Sequence, residues 1–252
     1  MHFHLPKPLH GWREFAGEVG IIVVGVLIAL SAEGLVERWH WHDQVDQSTR
    51  AFKDELLGFA QVAYEREAIQ PCLQGRLQAL AAQLNAGNGE WRAIPEHFIA
   101  AKRYYSSVLP VVYRPPVRSI YNDAWRNALS EGTINHLQFD RAQALSGAYE
   151  SAQAYKTLQG EEGSAETRLG PLGYDRTLDE RTRVEMLQTV AELDDLNTLL
   201  GVEARDFFTA MHAARLDISR AEIEQIRNDV LKTQRDYRGA CVTAPPLDLD
   251  GR

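Results

Sequence analysis

Fourteen consecutive residues near the start of the chain, Val19 to Ala32 (VGIIVVGVLIALSA), carry no charge and no proline. A run of this kind must leave water, so it constrains the fold more than any other segment. By itself it suits a buried helix or the core of a signal peptide as well as it suits a span. Its flanks extend it, through Phe15, Ala16 and Gly17 behind Glu18 and through Leu35 and Val36 beyond Glu33. Trp12 stands outside one end, and Trp39 and Trp41 stand outside the other. A helix from Trp12 to Trp39 rises about 40 Å at 1.5 Å per residue, which matches a bilayer with its headgroup layers, where tryptophan concentrates. Glu18 and Glu33 then lie about 22 Å apart, where carboxylates can still reach headgroup water.

We therefore expect a short cytoplasmic tail over 1–14 and a single transmembrane helix over 15–36, with Trp12, Trp39 and Trp41 as interfacial anchors. A cleaved signal peptide is the rival, since Ala29-Leu30-Ser31 and Leu30-Ser31-Ala32 offer small residues near a possible cut. Against it, the preceding tail carries Glu14 and Glu18, and the apolar pattern continues past the cut. A buried soluble helix is the third reading. Lys7 and Arg13 favour an internal tail only slightly over Arg38 and Arg50. A tail this short has nothing to fold, which argues for a cytoplasmic N-terminus. The main domain is then expected in the periplasm of a bacterium, tethered to the inner membrane.

The remaining chain is long enough for a sizeable core. We expect a helical extracytoplasmic domain over 37–240 and a largely disordered C-terminal tail over 241–252. No second long apolar run occurs, and a net charge of −8 disfavours nucleic acid as a partner. Two thiols, Cys72 and Cys241, are present. In an oxidising compartment they could pair and staple the C-terminus to the body; two separate thiols remain the alternative. No Cys-x-x-Cys or helical His-x-x-x-His accompanies them, so zinc is not expected.

Apolar residues recur at helical spacing almost throughout. Trp39, His42, Val45, Phe52, Leu56, Phe59 and Ala63 mark one face of a helix that continues from the span until Pro71. A second helix follows with Leu73, Leu77, Leu80 and Leu84, and a third is read around Phe98, Ile99 and Tyr105. Three prolines between Val108 and Val117 exclude a helix there. Ser119 is read as the cap of a helix ending at Gly132, and Gly160, Gly163, Gly170 and Gly173 as a flexible link. Two further helices follow, one from Leu178 that Gly201 could dent and one opened by the Ser219/Glu222 capping box. The expected fold is all-α: a single N-terminal transmembrane helix continuing into an irregular bundle of five to seven helices.

The opening WREFAGEVGIIVVGVLIALSAEGLVE resembles that of a group of uncharacterised bacterial proteins with one N-terminal membrane helix and a helical outer domain. The stretch SIYNDAWRNALSEGTINHL resembles the helix-glycine-helix unit of such proteins more loosely. The resemblance implies topology and fold; it carries no activity.

Chemistry-bearing motifs are missing from the sequence: no Walker loop, no dinucleotide fingerprint, no Gly-x-Ser-x-Gly and no His-Glu-x-x-His. We expect no cofactor and assign no catalytic or metal residue; His136 beside Asn135 and Asp140 reads as a polar turn. Possible partner contacts are Glu18 in the membrane helix and Tyr104, Tyr105, Tyr113 and Arg114 on the stiff proline-rich loop, residue types enriched in interface hot spots. The leading functional expectation is a tethered periplasmic domain acting through lipid and protein contacts. A ligand-sensing bundle with a partner membrane protein, or an enzyme without a recognisable motif, are the alternatives.

Overall fold

The computed structural model describes residues 11–86, 89–94 and 110–245. One helix, α1 (Trp12–Ala86), supplies the apolar segment and the spine of the bundle. At 75 residues it is about 110 Å long. Residues 15–33 are exposed on every side, whereas Phe52, Leu56, Phe59, Ala63, Leu73, Leu77 and Leu80 are buried. The helix thus changes surroundings along its length without ending.

The expected break at Pro71 does not occur: Pro71 lies inside α1. Proline removes one intrahelical donor and disturbs the turn before it, and that turn is braced from outside. The Ala68 carbonyl accepts the Thr243 N–H at 3.0 Å, and Cys72 is bonded to Cys241 with Cα atoms 5.1 Å apart. The start of the tail expected to be disordered is accordingly held to α1. Val242 is buried, and the Pro245 carbonyl accepts from Arg227 at 3.0 Å; residues 246–252 lie outside the described part.

After α1, a two-residue strand β1 (Glu90–Trp91) pairs antiparallel with β2 (Arg176–Thr177), Glu90 opposite Thr177. The third expected helix, with Phe98, Ile99 and Tyr105, lies outside the described residues. Residues 110–122 then form an extended strap that runs back down the bundle. Ser119 starts no helix: the side chain of Gln159 accepts from the Arg118 N–H and donates to the Arg118 carbonyl, both at 2.9 Å. An amide that imitates a neighbouring strand holds this segment extended, and α2 begins only at Asp123 (Asp123–Ser130). Gly132, at φ 77°, takes the left-handed turn into a 3-10 turn, Thr133–His136.

Helix α3 (Phe139–Arg168) includes Gly160 and Gly163, which do not form a link. Each glycine weakens a helix by about 1 kcal/mol, but Gln159, Glu162 and Ala165 on the same stretch are buried, and that packing decides. The chain turns through Gly170–Gly173 into α4 (Glu180–Ala213), then through a short turn into α5 (Arg220–Arg238). Gly201 lies inside α4, where the Gln70 side chain occupies the space a Cβ would need. Among the described residues there are five α-helices and one two-stranded pairing, so the protein is mostly helical.

Registers between helices are nearly constant. The Arg66–Glu162 pair joins α1 to α3 across 96 residues, and the same offset, to within one residue, recurs at Phe59–Tyr155 and Phe52–Tyr149. Likewise 169 residues separate Lys53 from Glu222, Glu65 from Gln234 and Cys72 from Cys241. Helices α3 and α5 therefore run parallel to α1, while α4 runs back the other way, packed against α3 and α1.

The disulfide closes a loop of about 170 residues, for which chain entropy gives up to about 5 kcal/mol. Replacing both cysteines by serine should lower the thermal midpoint by about 10 °C or more, read by far-UV circular dichroism, with wild type in reductant behaving alike. At the start of α5, Glu222 accepts from the Ser219 backbone and hydroxyl and pairs with Lys53 at 2.9 Å. These contacts, the Ser219 backbone first, hold its pKa down to about 2 from 4.5. Its stabilising contribution is complete above pH about 4.5 and is lost as pH falls through about 2. Glu222→Gln should flatten the stability–pH curve in that window in acid-titrated urea melts.

Candidate functional site

The most polar part of the interior is a node around Arg66. Its place follows from helical spacing: Phe59, Ala63 and Arg66 fall on one face of α1, so the guanidinium enters the core with its apolar neighbours. Arg66 Nη1 and Nη2 donate to the Glu162 carboxylate at 2.9 and 2.8 Å, and Nη2 also donates to Asn197 Oδ1 at 2.9 Å. Tyr113 donates its hydroxyl to Glu162 Oε1 at 3.0 Å. Both charged side chains are 0 % exposed. Burial alone would lower the Arg66 pKa, but the adjacent Glu162 carboxylate outweighs it and holds the guanidinium above its ordinary value. Burial raises the Tyr155 phenol beside this pair.

A second, shallower set lies one residue along α1. Glu65 accepts from Arg118 Nε and Nη2 at 2.7 and 2.6 Å and from Gln234 at 2.5 Å. Together Glu65 and Arg66 tie α1 to the strap, α3, α4 and α5. Among the described residues the Arg66–Glu162 pair is closed off from solvent and joins α1 to α3.

Open space is found elsewhere. Where the apolar part of α1 enters the bundle, a groove of about 540 Å³ is lined by Gly34, Glu37, Arg38, Trp41, His42 and His136. A neighbouring one of about 350 Å³ shares Val45 and His136 and reaches Arg141 and Arg215. Between them the Trp41 indole stacks on the His136 imidazole, with centroids 3.7 Å apart and planes 17° from parallel. This stack sets the lower limit of the bundle on α1. A third groove, of about 300 Å³, opens between α1 and the strap beside Glu55, Glu65 and Arg118. Among the described residues no group of three His, Cys, Asp or Glu side chains could hold a metal.

The residues singled out from the sequence do not converge. Trp12 and Trp39 are exposed on α1, 80 % and 76 % respectively. Trp41 differs: it is half-buried, and one face of its ring belongs to His136 rather than to lipid. Glu18 is exposed within the apolar segment. Tyr113 is corrected outright, because a fully buried ring bonded to Glu162 cannot meet a partner. Arg114 is half-buried, its carbonyl accepting from Arg238 at 2.8 Å. Tyr104 and Tyr105 lie outside the described residues.

Sequence reasoning missed Arg66, Glu162 and Asn197. The available signal was the misfit itself, a charged residue in phase with an apolar stripe. Removing one member of a buried pair strands the other, so Arg66→Met or Glu162→Gln should destabilise by about 3–5 kcal/mol. The double replacement Arg66→Met/Glu162→Leu should recover most of that loss, as chemical denaturation of the detergent-solubilised chain will report.

No protein-family model, curated protein or solved structure matches this chain.

Proposed function

We propose that the chain is a single-pass protein of a bacterial inner membrane, with a cytoplasmic N-terminus and a periplasmic helical domain that works through protein and envelope contacts rather than catalysis. The observation that carries this reading is the bare apolar part of α1. It is long and apolar enough to cross a membrane, and the rest of the described protein does not cover it. Ile21, Ile22, Val23, Val24, Val26, Leu27, Ile28 and Leu30 are all about half-exposed or more. Spread over ten successive positions, they surround the helix, and a helix apolar on all sides belongs in lipid or in a protein core. Leaving these side chains in water costs about 10 kcal/mol, comparable to the whole stability of a domain.

The Cys72–Cys241 bond supports an oxidising compartment for the bundle. A cut near Ala32 would fall in the middle of an unbroken helix, which favours the anchor over a signal peptide. The closed polar node supports a domain built to hold a shape. The resemblance of Trp12–Glu37 to tethered bacterial proteins points the same way.

Expression in a bacterial host with membrane fractionation tests the proposal. The expected result is a full-length, carbonate-resistant protein whose bundle is digested by protease in spheroplasts but not in intact cells. A shortened soluble species beginning near Ala32, or a full-length cytoplasmic one, overturns it.

A further inference from the structure

The bundle's lower corner carries an exposed aromatic with no place in the core. Phe139, the first residue of α3, is 79 % exposed, among the most exposed large apolar side chains of the described bundle. Its height is set by register. The offset of 96 residues between α1 and α3 puts Phe139 level with Asp43, about 6 Å above Trp39 and about 10 Å above Val36 along the helix axis. Side chains on a helix lean toward its N-terminus. Because α3 runs parallel to α1, the Phe139 ring leans toward the apolar segment, in the same sense as Trp39 and Trp41.

The neighbourhood is continuous with that segment. The Trp41–His136 stack joins the preceding 3-10 turn to α1. Arg141 and Arg215 line the adjoining groove, and Arg141 Nε is buried without a hydrogen-bond partner. A headgroup layer is about 5–7 Å thick, so an aromatic side chain based about 10 Å above the hydrocarbon edge has headgroups within reach.

We propose that the corner from His136 to Arg141 is a lipid-docking surface: Phe139 enters the headgroup layer, and the bundle is seated on the bilayer at a second point beside α1. The occupant is a phospholipid surface, argued from register, side-chain direction and continuity with the apolar helix. The proposal rests on the membrane-tethered reading above, and its test separates the two.

The two native cysteines are bonded to each other, so a single added cysteine can carry a nitroxide label. The full-length chain is reconstituted in vesicles of phosphatidylethanolamine and phosphatidylglycerol, with labels in turn at Gln138→Cys, Val24→Cys and Tyr174→Cys. Tyr174 is exposed and precedes β2, far from the corner. Accessibility to oxygen and to a water-soluble nickel chelate is then read by electron paramagnetic resonance. The expected result is a several-fold loss of nickel accessibility at 138 relative to 174, reversed when Phe139→Asp is added. A label at 138 as aqueous as that at 174, with the label at 24 in lipid, overturns the docking surface and leaves the tether standing. A label at 138 that stays shielded with Phe139→Asp overturns the role of Phe139. An aqueous label at 24 overturns the tether, and the docking surface with it.

Discussion

Arg66 brings a full positive charge to a place water does not reach, and the surrounding chain is arranged to answer it. Glu162 supplies the opposite charge from α3, Asn197 an oxygen from α4, and Tyr113 a hydroxyl from the strap that satisfies the carboxylate in turn. A buried pair of this kind adds little net stability over an apolar substitute. What it does is penalise every other register, because a one-residue slip would leave charges unpaired in the core. The constant offset of α3 against α1 below this node is what such a penalty produces. The same logic explains why glycines within α3 leave the helix intact: the node fixes Glu162 between Gly160 and Gly163.

Much of the helical content was legible from apolar spacing. Phe52, Leu56, Phe59 and Ala63, and then Leu73, Leu77, Leu80 and Leu84, are core positions as their periodicity requires. The capping box at Ser219 and Glu222 opens α5 where it was placed. Boundaries were less legible wherever a distant segment intervenes. Pro71 looks like a stop, and only the docked tail around Thr243 accounts for the helix passing through it. Ser119 looks like a cap, and only Gln159, forty-one residues from the Arg118 backbone it bonds, explains an extended strap there.

The candidate sites were less legible for a related reason. Tyr113 and Arg114 have the composition of a contact loop, but composition does not say which way a residue faces, and the strap turns Tyr113 inward. Trp41 has the sequence position of a lipid anchor, yet His136 comes to it through a long excursion of chain. Conversely, the exposed Phe139 draws no attention in sequence, since it follows a short polar turn and opens an ordinary helix. Its interest comes only from its height beside the apolar stretch.

The unbroken course of α1 has a mechanical consequence. Between Val36 and Ala86 it extends about 75 Å, with the remaining helices fastened along its side. Anchored as proposed, such a body would respond to the bilayer as a lever does, with its fulcrum in the headgroups. Transmembrane helices tilt by about 20° on average and accommodate mismatch in part by tilting, and a tilt of that size would sweep the outer end sideways by about 25 Å. A change of a few ångströms in membrane thickness would thus become a displacement as wide as a small protein at the level of β1 and β2.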